Sequence, residues 1–129
     1  MTALAVAGLA LGAPPASALA APGGLKSNVR NASTAVLSWA PVGKATSYEV
    51  QWSKTRYPFN PEPDPGNSGA PGRMTLGTAA ILPLAPGTWY YRVRGFNYSL
   101  PTNAQQMSWS DAARIVVAKP TFQVVGGGK

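Results

Sequence analysis

Ser47-Tyr48-Glu49-Val50-Gln51-Trp52-Ser53 alternates without a break, placing Tyr48, Val50 and Trp52 on one side of an extended chain and Glu49 and Gln51 on the other. Successive side chains of a strand point to opposite faces, so this stretch reads as a strand with one apolar and one polar face. Such a strand belongs in an antiparallel sheet packed on a second apolar layer. It predicts an all-β fold.

Upstream, Ser33 to Ala40 alternates with Ala35, Leu37 and Trp39 on one face and Val36 and Ser38 on the other. Pro41, Gly43 and Lys44 then break the pattern, and the short connection predicts that the two strands form a hairpin. Downstream, Lys54 to Gly72 carries Pro58, Pro61, Pro63, Pro65 and Pro71 among three glycines. Prolines at this density remove ladder donors, so the segment reads as a long exposed insertion, with at most an edge strand near Arg56 to Phe59. Arg73 to Leu82 reads as one strand interrupted by Gly77. Leu84-Ala85-Pro86-Gly87 then turns the chain into Thr88 to Phe96, where Trp89, Tyr91, Val93 and Gly95 share one face. Tyr90, Arg92, Arg94 and Phe96 share the other. Asn97 to Gln106 is a polar loop, Arg114 to Ala118 a closing strand, and residues 119–129 a tail with Phe122 and Val124. No internal repeat is present.

Composition agrees. A chain of 129 residues suits one domain, and 45% hydrophobic residues suffice for a core, whereas 14 Gly and 13 Pro favour many short elements between turns. There is no Cys and no His, and the 4 acids, Glu49, Glu62, Asp64 and Asp111, are scattered. Thiol chemistry is excluded, and too few groups remain for most acid–base pairs or metal cages. No catalytic residue, metal site or cofactor is expected.

Ala3 to Gly12 is a small apolar run followed by Pro14, Pro15 and Ala18-Leu19-Ala20, a small-x-small pattern. It reads as a signal peptide over residues 1–20, although Met1-Thr2 supplies no positive charge ahead of it. The run falls short of the roughly 20 residues that span a bilayer, so no membrane span is expected. All 11 Lys and Arg follow Ala20, giving the remaining chain the full net charge of +7. That balance favours an anionic partner such as a cell-envelope polymer or an acidic protein. The charges are dispersed rather than run together, so nucleic acid is not expected.

Four stretches in order resemble the fibronectin type III family. Val36-Leu37-Ser38-Trp39 with Pro41 resembles its second strand, and Ala45 to Trp52 its third. Leu84-Ala85-Pro86-Gly87-Thr88 with Tyr90 to Asn97 resembles its turn and sixth strand. Met107-Ser108-Trp109-Ser110-Asp111 before Arg114 to Val117 resembles the entry to its last. The resemblance spans residues 22–118 and implies an immunoglobulin-like sandwich of about seven antiparallel strands, with the domain over residues 21–118 and the insertion at 54–72. In the family a Tyr makes a corner hydrogen bond after that turn; counting gives Tyr90, but strand parity turns Trp89 inward. No Arg-Gly-Asp sequence occurs, so the resemblance implies no integrin site. The Ala-, Gly- and Pro-rich composition fits a high-GC bacterial source.

The family likeness implies a secreted, extracellular binding or spacer module, and two groups of residues are candidates. The loops expose Tyr57, Phe59, Tyr98 and Leu100, aromatic and apolar residues among Asn, Ser and Pro, as a surface for docking a protein or an envelope component. The second is a basic-aromatic face, Tyr90, Arg92, Arg94, Phe96 and Trp109. It is similar to the Arg/Trp ladder of cytokine-receptor members, with Glu49 placed to pair an Arg. That face is read either as a self-satisfied ladder or as a platform for an anionic carbohydrate. Strand addition through residues 121–125 is a further alternative. Trp39, Tyr48, Val50, Trp52, Tyr91 and Val93 read as core.

Overall fold

The computed structural model describes residues 20–120, so the expected signal peptide and most of the C-terminal tail lie outside the described residues. Among the described residues seven strands form: β1 (Lys26–Asn31), β2 (Thr34–Ser38), β3 (Ser47–Ser53), β4 (Arg73–Thr75), β5 (Ala79–Leu82), β6 (Gly87–Phe96) and β7 (Ala113–Val117). They make two antiparallel sheets, a three-stranded one ordered β1-β2-β5 and a four-stranded one ordered β4-β3-β6-β7. Single 3-10 turns at Pro65–Asn67 and Thr102–Ala104 interrupt the loops. No helix among the described residues is long and apolar enough to cross a membrane.

Alternation places the core where expected. Ala35, Leu37 and Trp39 from β2 and its end meet Tyr48, Val50 and Trp52 from β3 and Trp89, Tyr91 and Val93 from β6 between the sheets. Leu82, Leu84, Ile115 and Val117 complete the cluster. Trp39 and Tyr48 pack edge to face, with centroids 5.6 Å apart.

The hairpin expected between β2 and β3 does not form. β2 pairs with β1 and β5, and β3 pairs with β4 and β6, so the two strands lie in opposite sheets. Residues 40–46 arch across the roughly 10 Å between packed sheets. Lys44 adopts φ 72° in this arch, and the Tyr48 hydroxyl accepts from the Val42 amide at 2.8 Å. Arg73 to Leu82 is likewise two strands, not one, because Leu76-Gly77-Thr78 carries the chain from one sheet to the other. Across this crossing Arg73 Nη1 donates to the Ile81 carbonyl at 2.8 Å and Thr75 Oγ1 to the Ala79 carbonyl at 3.2 Å. The edge strand expected near Arg56 to Phe59 is absent. β1 is an element that periodicity missed, since Val29 is its only large apolar residue and the strand edges the sheet.

Trp89 builds the corner. Its indole Nε1 donates to the Ala85 carbonyl at 2.8 Å, closing the turn into β6, while the ring faces the core. Trp89→Phe keeps most of the ring and removes this bond. It is expected to lower stability by about 1 kcal/mol in urea denaturation; an unchanged midpoint would show that the bond contributes nothing.

Candidate functional site

The polar face of β3 is fully covered, although its pattern marks it as solvent-facing. The cover is a ladder rooted in register: Gln51 stands opposite Arg92 and Glu49 opposite Arg94. Arg92 donates through Nε and Nη2 to Gln51 Oε1 at 3.1 and 2.7 Å. Arg94 pairs with Glu49 at 2.8 Å and donates from Nη1 to Gln106 Oε1 at 3.1 Å. Trp109 is wedged between the two guanidinium groups, each 4.3 Å from a Trp109 ring centroid. Beyond Arg92 the ladder continues to Phe59, also at 4.3 Å. Beyond Arg94 it continues to Phe96 at 5.1 Å, which stacks on Tyr98 at 5.6 Å.

Arg92, Arg94, Phe96 and Trp109 therefore come together as expected, and Phe59 joins them from a loop 33 residues before Arg92. Phe59, expected as an exposed loop contact, is half-buried under Arg92. Trp109 sits in the segment before β7 rather than at its start, held beside β6 by the Ser110 amide donating to the Val93 carbonyl at 2.8 Å. Tyr90 shares the face, opposite Ser53 and Arg114, but makes no ring–cation contact among the described residues. Burial, then the adjacent charge of Arg94, lowers the pKa of Arg92 from its ordinary value, while Glu49 opposes the shift. Gln51 and Gln106 were not singled out from the sequence, since a polar residue in a strand or loop carries no signal of a partner.

The Pro-rich insertion is laced to the sandwich. Asp64 is 1% exposed and receives Arg73 in a fork, Nε to Oδ2 at 3.1 Å and Nη2 to Oδ1 at 2.8 Å. Its Oδ1 also accepts the Gly66 amide at 2.9 Å, capping the Pro65–Asn67 turn. The Arg73 bond, with the Gly66 amide and the Arg73 charge behind it, holds the Asp64 carboxyl below its ordinary value against the opposing cost of burial. The Ser53 hydroxyl, fully buried, accepts the Thr55 and Asn60 amides at 3.0 Å each. At Gly72 the chain turns with φ 99° directly over the Glu49 carboxylate, where a Cβ would collide.

These restraints set the loop candidates at opposite ends. Tyr57 follows the Ser53 end of β3 and is 82% exposed; Tyr98 follows the Phe96 end of β6 and is 53% exposed. The length of β3 separates those ends by roughly 20 Å. Leu100 is half-buried, its amide donating to the Asn97 carbonyl at 3.2 Å and its carbonyl accepting Gln105 Nε2 at 3.0 Å. At the Tyr98 end, Met74, Leu76 and Tyr98 line an open groove of about 280 Å³ with Thr75 and Ser47. Leu76 is 85% exposed, and the buried Ser47 hydroxyl has no hydrogen-bond partner among the described residues. A second apolar groove, between β4 and β5 with Val36 and Ile81, shares Met74 and Thr75 with the first. Met74, Leu76 and Ile81 were missed in sequence because β4 and β5, three and four residues long, and the turn between them are too short to show a period.

No family model matches the chain, and no curated protein matches it. Solved structures match in fold. The sixth fibronectin type III domain from human fibronectin type III domain containing protein 3 superposes with a TM-score of 0.60 at 16% identity, over 85% of this chain and 95% of that one. The FN5 domain of Drosophila Lar gives 0.58 at 16% identity, over 79% and 99%. The FN1-FN3 domains of chicken CNTN1 give 0.56 at 16% identity over 78% of this chain, which spans only 33% of that one. The fold is the fibronectin type III sandwich. Likeness at this identity is of fold, and function has to be argued from the surface.

Proposed function

We propose that the chain is a secreted, non-catalytic binding module that docks onto a protein through the loops at its Tyr98 end. The observation that carries this is the groove of Met74, Leu76 and Tyr98 around the Ser47 hydroxyl, which has no partner among the described residues. A buried hydroxyl without a partner is costly, and exposed apolar side chains beside it gain from being covered. The basic-aromatic face supports an anionic carbohydrate less well, because Arg92 and Arg94 already have their donors and ring contacts engaged within the domain. Strand addition through residues 121–125 rests on a segment that lies outside the described residues. Export rests on Ala3 to Gly12 and Ala18-Leu19-Ala20, which lie outside the described residues.

The test is capture of a partner from cell-envelope extract by the immobilised chain. The double variant Leu76→Asp with Tyr98→Ala is expected to reduce capture about tenfold or more, whereas Tyr57→Ala leaves it unchanged. Equal capture by the double variant and the parent would refute this docking site.

A further inference from the structure

The net charge of +7 is unevenly placed on the folded chain. Through the middle of the sandwich Arg73 and Arg94 are held in ion pairs by Asp64 and Glu49, and Arg92 donates to Gln51. The end bearing Tyr57 has no such balance. Lys54 and Arg56 begin the insertion after Ser53, and Arg114 stands opposite Tyr90, itself opposite Ser53. Lys119 follows β7, whose Val117 pairs with Gly87 at the start of β6, and Arg30 lies near the end of β1, beside the turn into β2. All five are exposed, and none has an ion-pair partner among the described residues. Glu62 is the one acid near this end that no cation holds among the described residues. At the Tyr98 end the cations are Lys26 and Lys44.

We propose that the Tyr57 end is a second site, separate from the docking groove, that holds a linear anionic polysaccharide. The five cations wrap the end of the sandwich from one sheet to the other, so a small anion would meet few of them. A chain with a charge on every unit or two can follow the curve and neutralise several, each within a Debye length of about 8 Å at physiological salt. Tyr57 supplies the other half of the recognition. Arg56 stands 5.4 Å from its ring centroid, and at 82% exposure the ring remains open to the apolar face of a sugar. A single-stranded nucleic acid would use a row of free aromatic faces. Here the exposed aromatic rings among the described residues are Tyr57 and Tyr98, at opposite ends of the sandwich, so no row forms, which favours the polysaccharide.

The test uses the full chain with heparin as the probe, single-stranded DNA and phosphatidylserine vesicles as competitors, and a titration in salt. The parent is expected to bind heparin, and Lys54→Gln/Arg56→Gln/Arg114→Gln to weaken binding about tenfold or more near physiological salt, with the salt slope falling by roughly two to three. Tyr57→Ala is expected to weaken it with the slope unchanged, and Lys26→Gln/Lys44→Gln to leave it within about twofold. Absence of heparin binding by the parent, or equal loss from the Lys26/Lys44 variant, overturns the proposal. So does tighter binding of either competitor. Partner capture at the Leu76–Tyr98 groove is expected to survive the triple substitution, so this site and the docking site can fail independently.

Discussion

Trp109→Ala is expected to lower folding stability by about 3–4 kcal/mol, the larger of two effects anticipated for this domain. Both guanidinium contacts at 4.3 Å disappear together, and Arg92 and Arg94 lose the surface that separates their charges. Each such contact is worth about 1–2 kcal/mol where water is largely excluded, and removing the indole adds a cavity cost. Arg94 is 18% exposed and Glu49 12%, so the ladder lies in that regime. Trp109→Phe keeps an aromatic face and is expected to recover more than half of the loss. Urea denaturation of both variants measures this. A loss below about 1 kcal/mol for the alanine variant would mean that the rungs hold without their central ring. The ladder also joins the insertion, through Phe59, to the 97–106 loop, through Phe96 and Tyr98. Limited proteolysis of the alanine variant should therefore cut residues 54–62 faster.

Asp64→Asn comes second, with an expected loss of about 2–4 kcal/mol at neutral pH. It removes the charge facing Arg73, whose side chain is 29% exposed, so solvent shields part of the unpaired cation and the loss falls below that of a fully buried pair. The pH dependence has a definite sign. The folded carboxyl lies below its ordinary value of 3.8, so the folded chain binds this proton more weakly than the unfolded chain. Its contribution is complete above that value and lost as pH falls through the folded one. The parent should lose stability below pH 3.8 faster than Asp64→Asn does, so the two curves converge in acid. Parallel curves would show that Asp64 does not carry the effect. Tyr91 gives the opposite limb: burial pushes its hydroxyl up to about 12, so its contribution is lost as pH rises from 10 toward 12.

The strands whose side chains alternate strongly were legible, and β3 and β6 were read to within a residue. Their apolar faces name the core because a strand can bury one face only by turning every second side chain inward. β1 was not legible, since an edge strand with a single Val has little to bury. Pairing was not legible either. Alternation shows which side of β2 and β3 is buried, but a buried side is equally satisfied by a neighbour in the same sheet or by the sheet opposite. The candidate site divides in the same way. Arg92, Arg94, Phe96 and Trp109 could be grouped because β6 parity puts three of them on one face. Phe59, Gln51 and Gln106 could not, because their places depend on register and on the path of a proline-rich loop.

The strand Ser47 to Ser53 shows both halves of the division. Its sequence alone determined that Tyr48, Val50 and Trp52 are core and that the segment is a strand, because a period of two admits no other regular backbone. It could not determine the fate of Glu49 and Gln51. Polar residues at alternate positions read as solvent-facing, yet here the whole strand is buried. Only the tertiary structure decided that, by setting Arg94 and Arg92 opposite them across the β3–β6 register and bringing Trp109 over both. The physical reason is that an ion pair and a cation–ring stack depend on distances across the sheet, which the order of residues along one strand does not contain.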